Sequence, residues 1–370
     1  MPHHIQTPLA VRVGLPTPGG KLLAAARHRG YPVLLSANAF ARRIPLRLPW
    51  GGTFRHFRLP DPHQFDGMDV ALDSAGFMAA TQYREFQWTV EQYMDLVAAY
   101  PWTWWAAMDY CCEPEVANDR PERLLRMAAT VLLYRQCLNA ARARGLSPPV
   151  PVIQGWTPTE YRQSIRWLNL DPWPSLVGVG SVCRRAVEGP NGILEIVEAL
   201  DKALPAGVRL HLFGMNRAAL APLANHPRVA STDSMAWDAH ARRQRPTGRD
   251  VAFRIQCMER WMRRQNWRLN AGARGAGLQA RLSLPCPAGD LSFEAHALES
   301  LALEWAELVL SNDVTYLDAV WYMKADAPHL IAMVRQRCVT PTSLTALEEI
   351  FPGLSLTVAH PRPMHSSLWR

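Results

Sequence analysis

Short apolar runs that end in polar or glycine-rich turns recur along the chain, separated by amphipathic stretches. The runs are Val11–Gly14, Pro32–Ser36, Met68–Asp73, Trp104–Asp109, Pro151–Gln154, Leu176–Gly180, Val208–Gly214 and Arg228–Asp233. Continuous apolar runs of this length, bounded by turn residues, suit strands buried on both faces of a parallel sheet. Helical patterns at Gly20–Arg29, Thr89–Tyr100, Pro121–Arg144, Thr159–Leu168, Asn191–Leu204 and Arg217–Leu223 lie between them. Pro121 and the pair Thr157-Pro158 supply helix-start signals. Eight strands, most followed by helices, predict an α/β chain built as an irregular (β/α)8 TIM barrel. Arg42–Gln64 reads as a long Pro- and Arg-rich connection. After Asp233 the strand pattern stops. Val251–Trp267, Phe293–Leu310 and Tyr316–Cys338 are predicted helices, Ala271–Leu282 a mobile Gly- and Arg-rich loop, and the residues from Thr357 on an extended tail. The expected organisation is a barrel over 1–243 and a helical, Arg-rich extension over 244–370 packed on it, together one catalytic unit.

Composition narrows the class. Of 370 residues, 48% are hydrophobic and 19% charged, which suits a globular chain with a sizeable core. No apolar run approaches the roughly 20 residues needed to span a bilayer. The start, Met1-Pro2-His3-His4-Ile5-Gln6, lacks the basic-then-apolar pattern of a secretory signal, so the expected location is the cytoplasm. The net charge of +8 favours a polyanionic partner, although Arg-rich enzymes without one are common. Clustering tips the balance. Arg242, Arg243, Arg245, Arg249, Arg254, Arg260, Arg263, Arg264, Arg268, Arg274 and Arg281 crowd one stretch with few acids, and Trp261 and Trp267 interleave with them. Arginine forks suit phosphates and indole faces suit unstacked bases.

Seven cysteines and no CxxC pair argue against both a disulfide framework and an ordinary zinc motif. Cys257, Cys286 and His296 are the one set that would share a structural zinc; buried thiols are the simpler reading, and no cofactor or metal is expected. Gly14–Leu22 has the look of a phosphate loop but lacks its first glycine, and Leu22 stands where Ser or Thr would hold magnesium.

The strand ends carry the candidate chemistry, because a parallel barrel gathers its active site at the C-terminal ends of its strands. Asp73 and Asp233 end two different strands. Two carboxylates at one sugar carbon suit double displacement, one attacking C1′ and the other shuttling the leaving group's proton. That second carboxyl needs a raised pKa. Asp109 and Gln154 suit a purine edge, with the backbone N–H groups of Gly180 and Ser181 as further donors. Phe77 and Phe213 are placed to clamp a base. Each has a plainer reading: the aspartates as helix N-caps, Gln154-Gly155 as a turn, the phenylalanines as core. His211, on an apolar strand, reads as a satisfied core histidine.

Taken in order, these motifs resemble the tRNA-guanine transglycosylase superfamily over roughly Pro32 to Arg243. Asp73-Ser74-Ala75-Gly76-Phe77 is similar to its Asp-Ser-Gly-Gly-Phe/Tyr motif, Met108-Asp109-Tyr110-Cys111 to Phe-Asp-Glu-Cys, and Ile153-Gln154-Gly155 to Val-Gln-Gly. Gly178–Ser181 is similar to the glycine-rich strand end, and His211-Leu212-Phe213-Gly214 to Tyr-Leu-Met-Gly. Thr232-Asp233-Ser234 falls at the nucleophile, with Arg242 and Arg243 in the basic segment beyond. The resemblance implies Asp233 as nucleophile and Asp73 as general acid/base. It implies Ser74, Phe77, Asp109, Gln154, Gly180, Ser181, Phe213 and Gly214 around the base, and Arg242, Arg243, Arg263 and Arg264 on nucleic acid. The superfamily's Cys-x-Cys-x-x-Cys…His zinc run is missing, Ala75 replaces a glycine and Tyr110 a glutamate. Ser36-Ala37-Asn38 and Asp233–Trp237 look more like the DNA-acting, DpdA-like branch. The expected function is therefore exchange of guanine in DNA for 7-cyano-7-deazaguanine through a covalent aspartyl–DNA intermediate, with other DNA-modification proteins as possible partners. The alternatives are a tRNA-guanine transglycosylase without its zinc, a silent nucleic-acid-binding paralogue, or an unrelated N-glycoside hydrolase.

Overall fold

The computed structural model describes residues 9–44, 53–113, 116–244, 250–275 and 293–337. The chain is an α/β fold built on a curled, all-parallel sheet of seven strands. These are β1 (Ala10–Leu15), β2 (Val33–Ser36), β5 (Val70–Asp73), β6 (Val152–Ile153), β7 (Leu176–Val179), β8 (Arg209–Leu212) and β9 (Val229–Ser234), in the order β5-β2-β1-β9-β8-β7-β6. Helices α1 (Gly20–His28), α2 (Gly76–Met78), α3 (Val90–Ala98), α4 (Arg120–Ala143), α5 (Pro158–Leu168), α6 (Ile193–Ala203), α7 (Leu220–Leu223) and α8 (Ala236–Arg243) connect them. Helices α9 (Val251–Gly275), α10 (Phe293–Leu310) and α11 (Tyr316–Arg337) follow. Local chemistry starts several of these helices where the sequence pattern placed them. Thr89 and Thr157 form capping boxes with Gln92 and Glu160, and Asp119 accepts from the Glu122 N–H ahead of α4. No helix among the described residues is long and apolar enough to cross a membrane.

Three expectations need correction. Trp104–Asp109 is not a strand. Its pairing is limited to the isolated bridges Leu72–Trp105 and Ala106–Val150, through backbone hydrogen bonds of residues 103–107 with Val70, Leu72 and Val150. Beyond Ala107 its backbone turns to side chains: the Tyr110 N–H donates to Thr130 Oγ1 at 2.9 Å and the Cys112 N–H to Ser181 Oγ at 2.7 Å. A chain whose N–H groups are satisfied by side chains has no need of a ladder partner. The Arg42–Gln64 connection contains an antiparallel pair, β3 (Ala41–Ile44) and β4 (Thr53–Phe57), where Phe54 and Phe57 pack on Trp88. Finally, α9 runs through Ala271 to Gly275, because alanine and arginine there outweigh glycine's low helix propensity. The rest of the predicted loop, Cys338 and the tail from Thr357 lie outside the described residues.

The core has two parts. The larger lies within the sheet and under its helices, and Cys257, Met258, Trp261 and Met262 of α9 pack into it. The smaller joins α4 to α10 and α11 through Leu124, Leu125, Leu301, Trp305 and Val309. Helix α4 therefore holds the 107–113 segment from behind. Arg126 donates to the Cys111 carbonyl at 2.7 Å and to Tyr316 Oη of α11 at 3.2 Å. Buried Arg123 pairs with Glu160 of α5 at 2.7 Å.

Candidate active site

The sequence-predicted cleft residues, except Ser74, which is fully buried and bonded to Asp109, meet at the C-terminal ends of the strands, where ligands bind in parallel α/β sheets. Asp73 ends β5, Gln154 follows β6, Gly180 and Ser181 follow β7, Phe213 and Gly214 follow β8, and Asp233 lies near the end of β9. With Phe77, Asp109, Leu34, Cys111, Glu113 and Cys183 they line one open cleft.

A directed chain of hydrogen bonds fixes the purine-edge candidates. The Cys112 N–H donates to Ser181 Oγ, whose hydroxyl donates to Gln154 Oε1 at 2.6 Å. Gln154 Nε2 donates to Asp109 Oδ2 at 2.6 Å, and Ser74 Oγ donates to Asp109 Oδ1 at 2.7 Å. The amide orientation of Gln154 follows, since only its nitrogen can face the carboxylate. Each Asp109 oxygen keeps a second lone pair for an incoming donor. Arg185 supports this chain from below. Its buried guanidinium donates to the carbonyls of Ser181, Trp156 and Asn191 at 2.9, 2.6 and 2.6 Å, tying the turns after β6 and β7 together.

Glycines make the close approach possible. A Cβ on Gly180 would lie 2.1 Å from Gln154 Nε2, and one on Gly76 would lie 2.2 Å from the Asp109 carbonyl oxygen. The second contact is with backbone and cannot be relieved by a side-chain rotation. Gly76→Ala is expected to cost about 1–3 kcal/mol, the usual penalty for overpacking, and to push Asp109 out of line. A thermal melt checks this, and an unchanged midpoint would contradict it. Ala75, just before, has φ +72°, a left-handed conformation that glycine adopts without strain.

The aspartates are not N-caps. The Asp73 carboxylate accepts from the Ala75 N–H at 3.0 Å, and Ala75, not the aspartate, is the cap residue just before α2. Beside Asp233, Ser234 accepts from the Ala236 N–H at 3.1 Å and takes the local turn role. Asp233 Oδ1 instead accepts from the Gly214 N–H at 2.8 Å, with Gly214 at φ +61°. Burial raises the Asp73 carboxyl to about 7, helped by the Asp109 and Asp233 charges, against the Ala75 and Ser36 hydrogen bonds. Burial raises Asp109 to about 6, opposed by its bonds from Ser74 and Gln154.

Several expectations change. The Gly180 N–H donates to the Ile153 carbonyl at 3.0 Å, so it offers no donor to a ligand; the residue's part is to make room for Gln154. Trp261 is buried and has no face for a base. Arg242 is paired with Asp238 at 2.8 Å, and Arg263 lies 3.9 Å from Glu259; Arg243 and Arg264 are exposed. Phe77 is 40% exposed, with Arg184 over its ring at 4.9 Å. Phe213 packs edge-on against His211 and lies against Gly178. Of the three residues considered for zinc, Cys286 and the His296 side chain lie outside the described residues, and Cys257 is buried. Among the described residues no three His, Cys, Asp or Glu side chains are grouped to hold a metal.

His211 is the buried core histidine expected, and one of its ring nitrogens faces the site. It is fully buried, with Nδ1 2.7 Å from Ser231 Oγ and Nε2 3.4 Å from Asp233 Oδ1. Burial lowers its pKa, favouring the neutral ring. The signal was present, because residues two apart on a strand share a face and Phe213 points to the cleft. Glu113 was missed. It lies four residues beyond Asp109, buried, accepting from the Cys183 N–H at 3.1 Å and facing Arg184 at 3.4 Å.

Carboxylates delivered by separate strand ends to one cleft define a transglycosylase-type α/β enzyme once the sequence family is added. The chain belongs to the DpdA family, DeoxyPurine in DNA protein A, whose pattern it matches over residues 53–281. That family points to deazapurine modification of DNA. No curated protein matches the sequence. Among solved structures the chain is similar to the YdjI aldolase from Escherichia coli K12, at 12% identity and a TM-score of 0.33, over 71% of this chain and 91% of that one.

Proposed function

We propose that this protein is a DNA-guanine transglycosylase that replaces guanine with a 7-deazaguanine, 7-cyano-7-deazaguanine by the resemblance above, through a covalent aspartyl–DNA intermediate. The observation that carries the reading is the convergence of Asp73, Asp109 and Asp233, from three distant parts of the chain, on one cleft. We read the sheet as an irregular (β/α)8 barrel whose remaining strand is reduced to residues 103–107, which hydrogen-bond to β5 on one side and to Val150 on the other.

The target guanine leaves the stack to enter the cleft. Asp109, Gln154 and Ser181 read its edge, with Phe77 and Phe213 as stacking faces. Asp233 attacks C1′ as the bond from C1′ to the base nitrogen breaks, and that electron pair leaves with guanine. Asp73, a carboxyl still protonated near neutrality, supplies the proton. In the second half the incoming base gives its ring N–H proton to Asp73 while its nitrogen attacks C1′ and releases Asp233. No electron is gained or lost.

His211 is a positioning residue in this scheme. Asp233 only accepts, so Nε2 carries the ring proton and Nδ1 accepts from Ser231. His211 Nε2 and the Gly214 N–H then both face Oδ1, which leaves Oδ2 to attack.

A base-exchange assay tests the reading. DNA and tRNA carrying labelled guanine are each incubated with the protein and unlabelled 7-cyano-7-deazaguanine. Release from DNA alone is the expected result. Release from tRNA alone would move the protein to the tRNA branch, and release that does not depend on the added base would mean hydrolysis.

A further inference from the structure

Residues 37–60, between β2 and β5, hold five arginines and no acid. The β3–β4 ribbon lies in this stretch, and one extra residue makes its two faces different. Arg42 lies opposite His56 but Arg43 opposite Phe54, so Arg55 is bulged out of the pairing. In a regular strand Phe54 and Phe57 would point to opposite faces; the bulge turns both inward. Their rings pack on each other at 4.9 Å and on Trp88 at 5.5 and 5.2 Å. The other face carries Arg42, Ile44, Thr53 and His56, with Arg55 at the bulge and Arg58 just past the strand, all exposed.

The ribbon is rooted at the cleft end of the sheet. Arg43, on the inner face, donates to Asn38 Oδ1 at 2.8 Å. Asn38 stands two residues past Ser36, the end of β2 that lies beside Asp73 in the pairing with β5. Arg43 also donates to Gln87 Oε1, and its guanidinium lies 4.2 Å over the Tyr83 ring. Tyr83 closes the turn Ala79–Tyr83 that continues α2, the helix that carries Phe77. Through Phe86 the same wall reaches Tyr110, the neighbour of Asp109: the Phe86 ring lies 5.7 Å from Trp88 and 5.3 Å from Tyr110. At the far side of the ribbon the Arg58 N–H donates to the Phe40 carbonyl at 2.8 Å. These ties fix the ribbon on the wall beside the cleft, and none of them uses a side chain of its outer face.

Among the described residues Arg42, Arg55 and Arg58 have no acidic partner, whereas Arg43 is engaged by Asn38, Gln87 and Tyr83. Like charges crowded on a two-stranded ribbon repel one another, and such a ribbon has little stability of its own. Arginines on both strands also oppose the pairing of a second copy along either edge. A polyanion relieves the repulsion. Guanidinium forks take phosphates, and a two-stranded ribbon is narrow enough to follow a DNA groove. We infer that the outer face of the β3–β4 ribbon holds the DNA backbone beside the flipped guanine, with Arg42, Arg55 and Arg58 on phosphates. This rests on the proposed action on DNA, but it assigns a surface rather than the chemistry.

The test is the salt dependence of binding to a fluorescently labelled duplex oligonucleotide, measured by anisotropy with the full-length protein. Each phosphate contact contributes about 0.9 to the slope of log K against log salt. The combined variant Arg42→Ala, Arg55→Ala, Arg58→Ala is expected to lower the slope by roughly 2.7. The variant Arg42→Lys, Arg55→Lys, Arg58→Lys should restore most of it, because lysine keeps the charge. Lys202→Ala, on α6 and paired with Glu198, is the control and keeps the original slope. An unchanged slope in the alanine variant, with its melting temperature preserved, overturns the surface. The same unchanged slope with a shift from dimer to monomer in sedimentation would give the face to a second copy instead. A slope lowered on tRNA but kept on DNA overturns DNA as the occupant. A lowered slope on DNA in a protein that exchanges no base upholds the surface and sinks only the exchange reading.

Discussion

Asp233→Asn is expected to bind DNA with unchanged affinity yet form no covalent adduct with it, and to lose exchange by on the order of 10⁴-fold or more, as removal of a nucleophile usually does. The substitution keeps the shape and the acceptor oxygen that faces Gly214, so the cleft stays folded, but the amide has no anionic oxygen to attack C1′. A denaturing gel of protein mixed with labelled oligonucleotide reads the adduct directly; a retained adduct band would remove Asp233 from its role. The same gel separates His211 from a structural part. His211→Leu should slow adduct formation with little effect on DNA affinity, and His211→Gln, which restores a donor toward Oδ1, should recover much of the rate.

The second large effect concerns Asp73, and its sign follows from the raised pKa. The acid form delivers the proton, and burial with the Asp109 and Asp233 charges holds that carboxyl at about 7. Adduct formation should fall about tenfold per unit as pH rises above 7. Asp109, held at about 6, must be ionised to accept from the base, so the rate should also fall below 6. Because the carboxylates are coupled, the two limbs belong to the set rather than to either residue. Asp73→Asn should lower the rate by 10²–10⁴-fold and abolish the alkaline limb in single-turnover measurements, while the acid limb persists. A variant that keeps the alkaline limb would contradict the assignment.

Stability should move the opposite way. With a folded pKa above the unfolded one, the Asp73 carboxyl costs nothing at acid pH and destabilises the fold progressively as pH rises from about 4 through 7. Asp73→Asn should therefore raise the melting temperature at pH 8, and the gain should shrink toward pH 4. The site keeps a buried, mutually repelling set of acids at the expense of the fold, as functional sites often do.

The strand-end residues were legible in the sequence because each is local: an apolar run, then a polar turn. The pattern also located most helices, since caps such as Thr89 and Thr157 act within one turn. It failed at Trp104–Asp109, an apolar run whose pairing is reduced to two isolated bridges, because just beyond it the N–H groups of Tyr110 and Cys112 find Thr130 and Ser181, 20 and 69 residues away in sequence. It failed again at β3 and β4, whose pairing depends on an aromatic cluster around Trp88.

By itself, then, the sequence located most of the candidate site residues and where each falls on its own element, because burial periodicity and turn preference are properties of neighbouring residues. Only the tertiary structure decided what those residues do to each other. Asp73 is raised because two other acids share its cleft. Asp109 fits because Gly76 has no side chain. His211 faces Asp233 because β8 pairs with β9. Distance, burial and field are properties of pairs brought together by folding, and no local pattern encodes them.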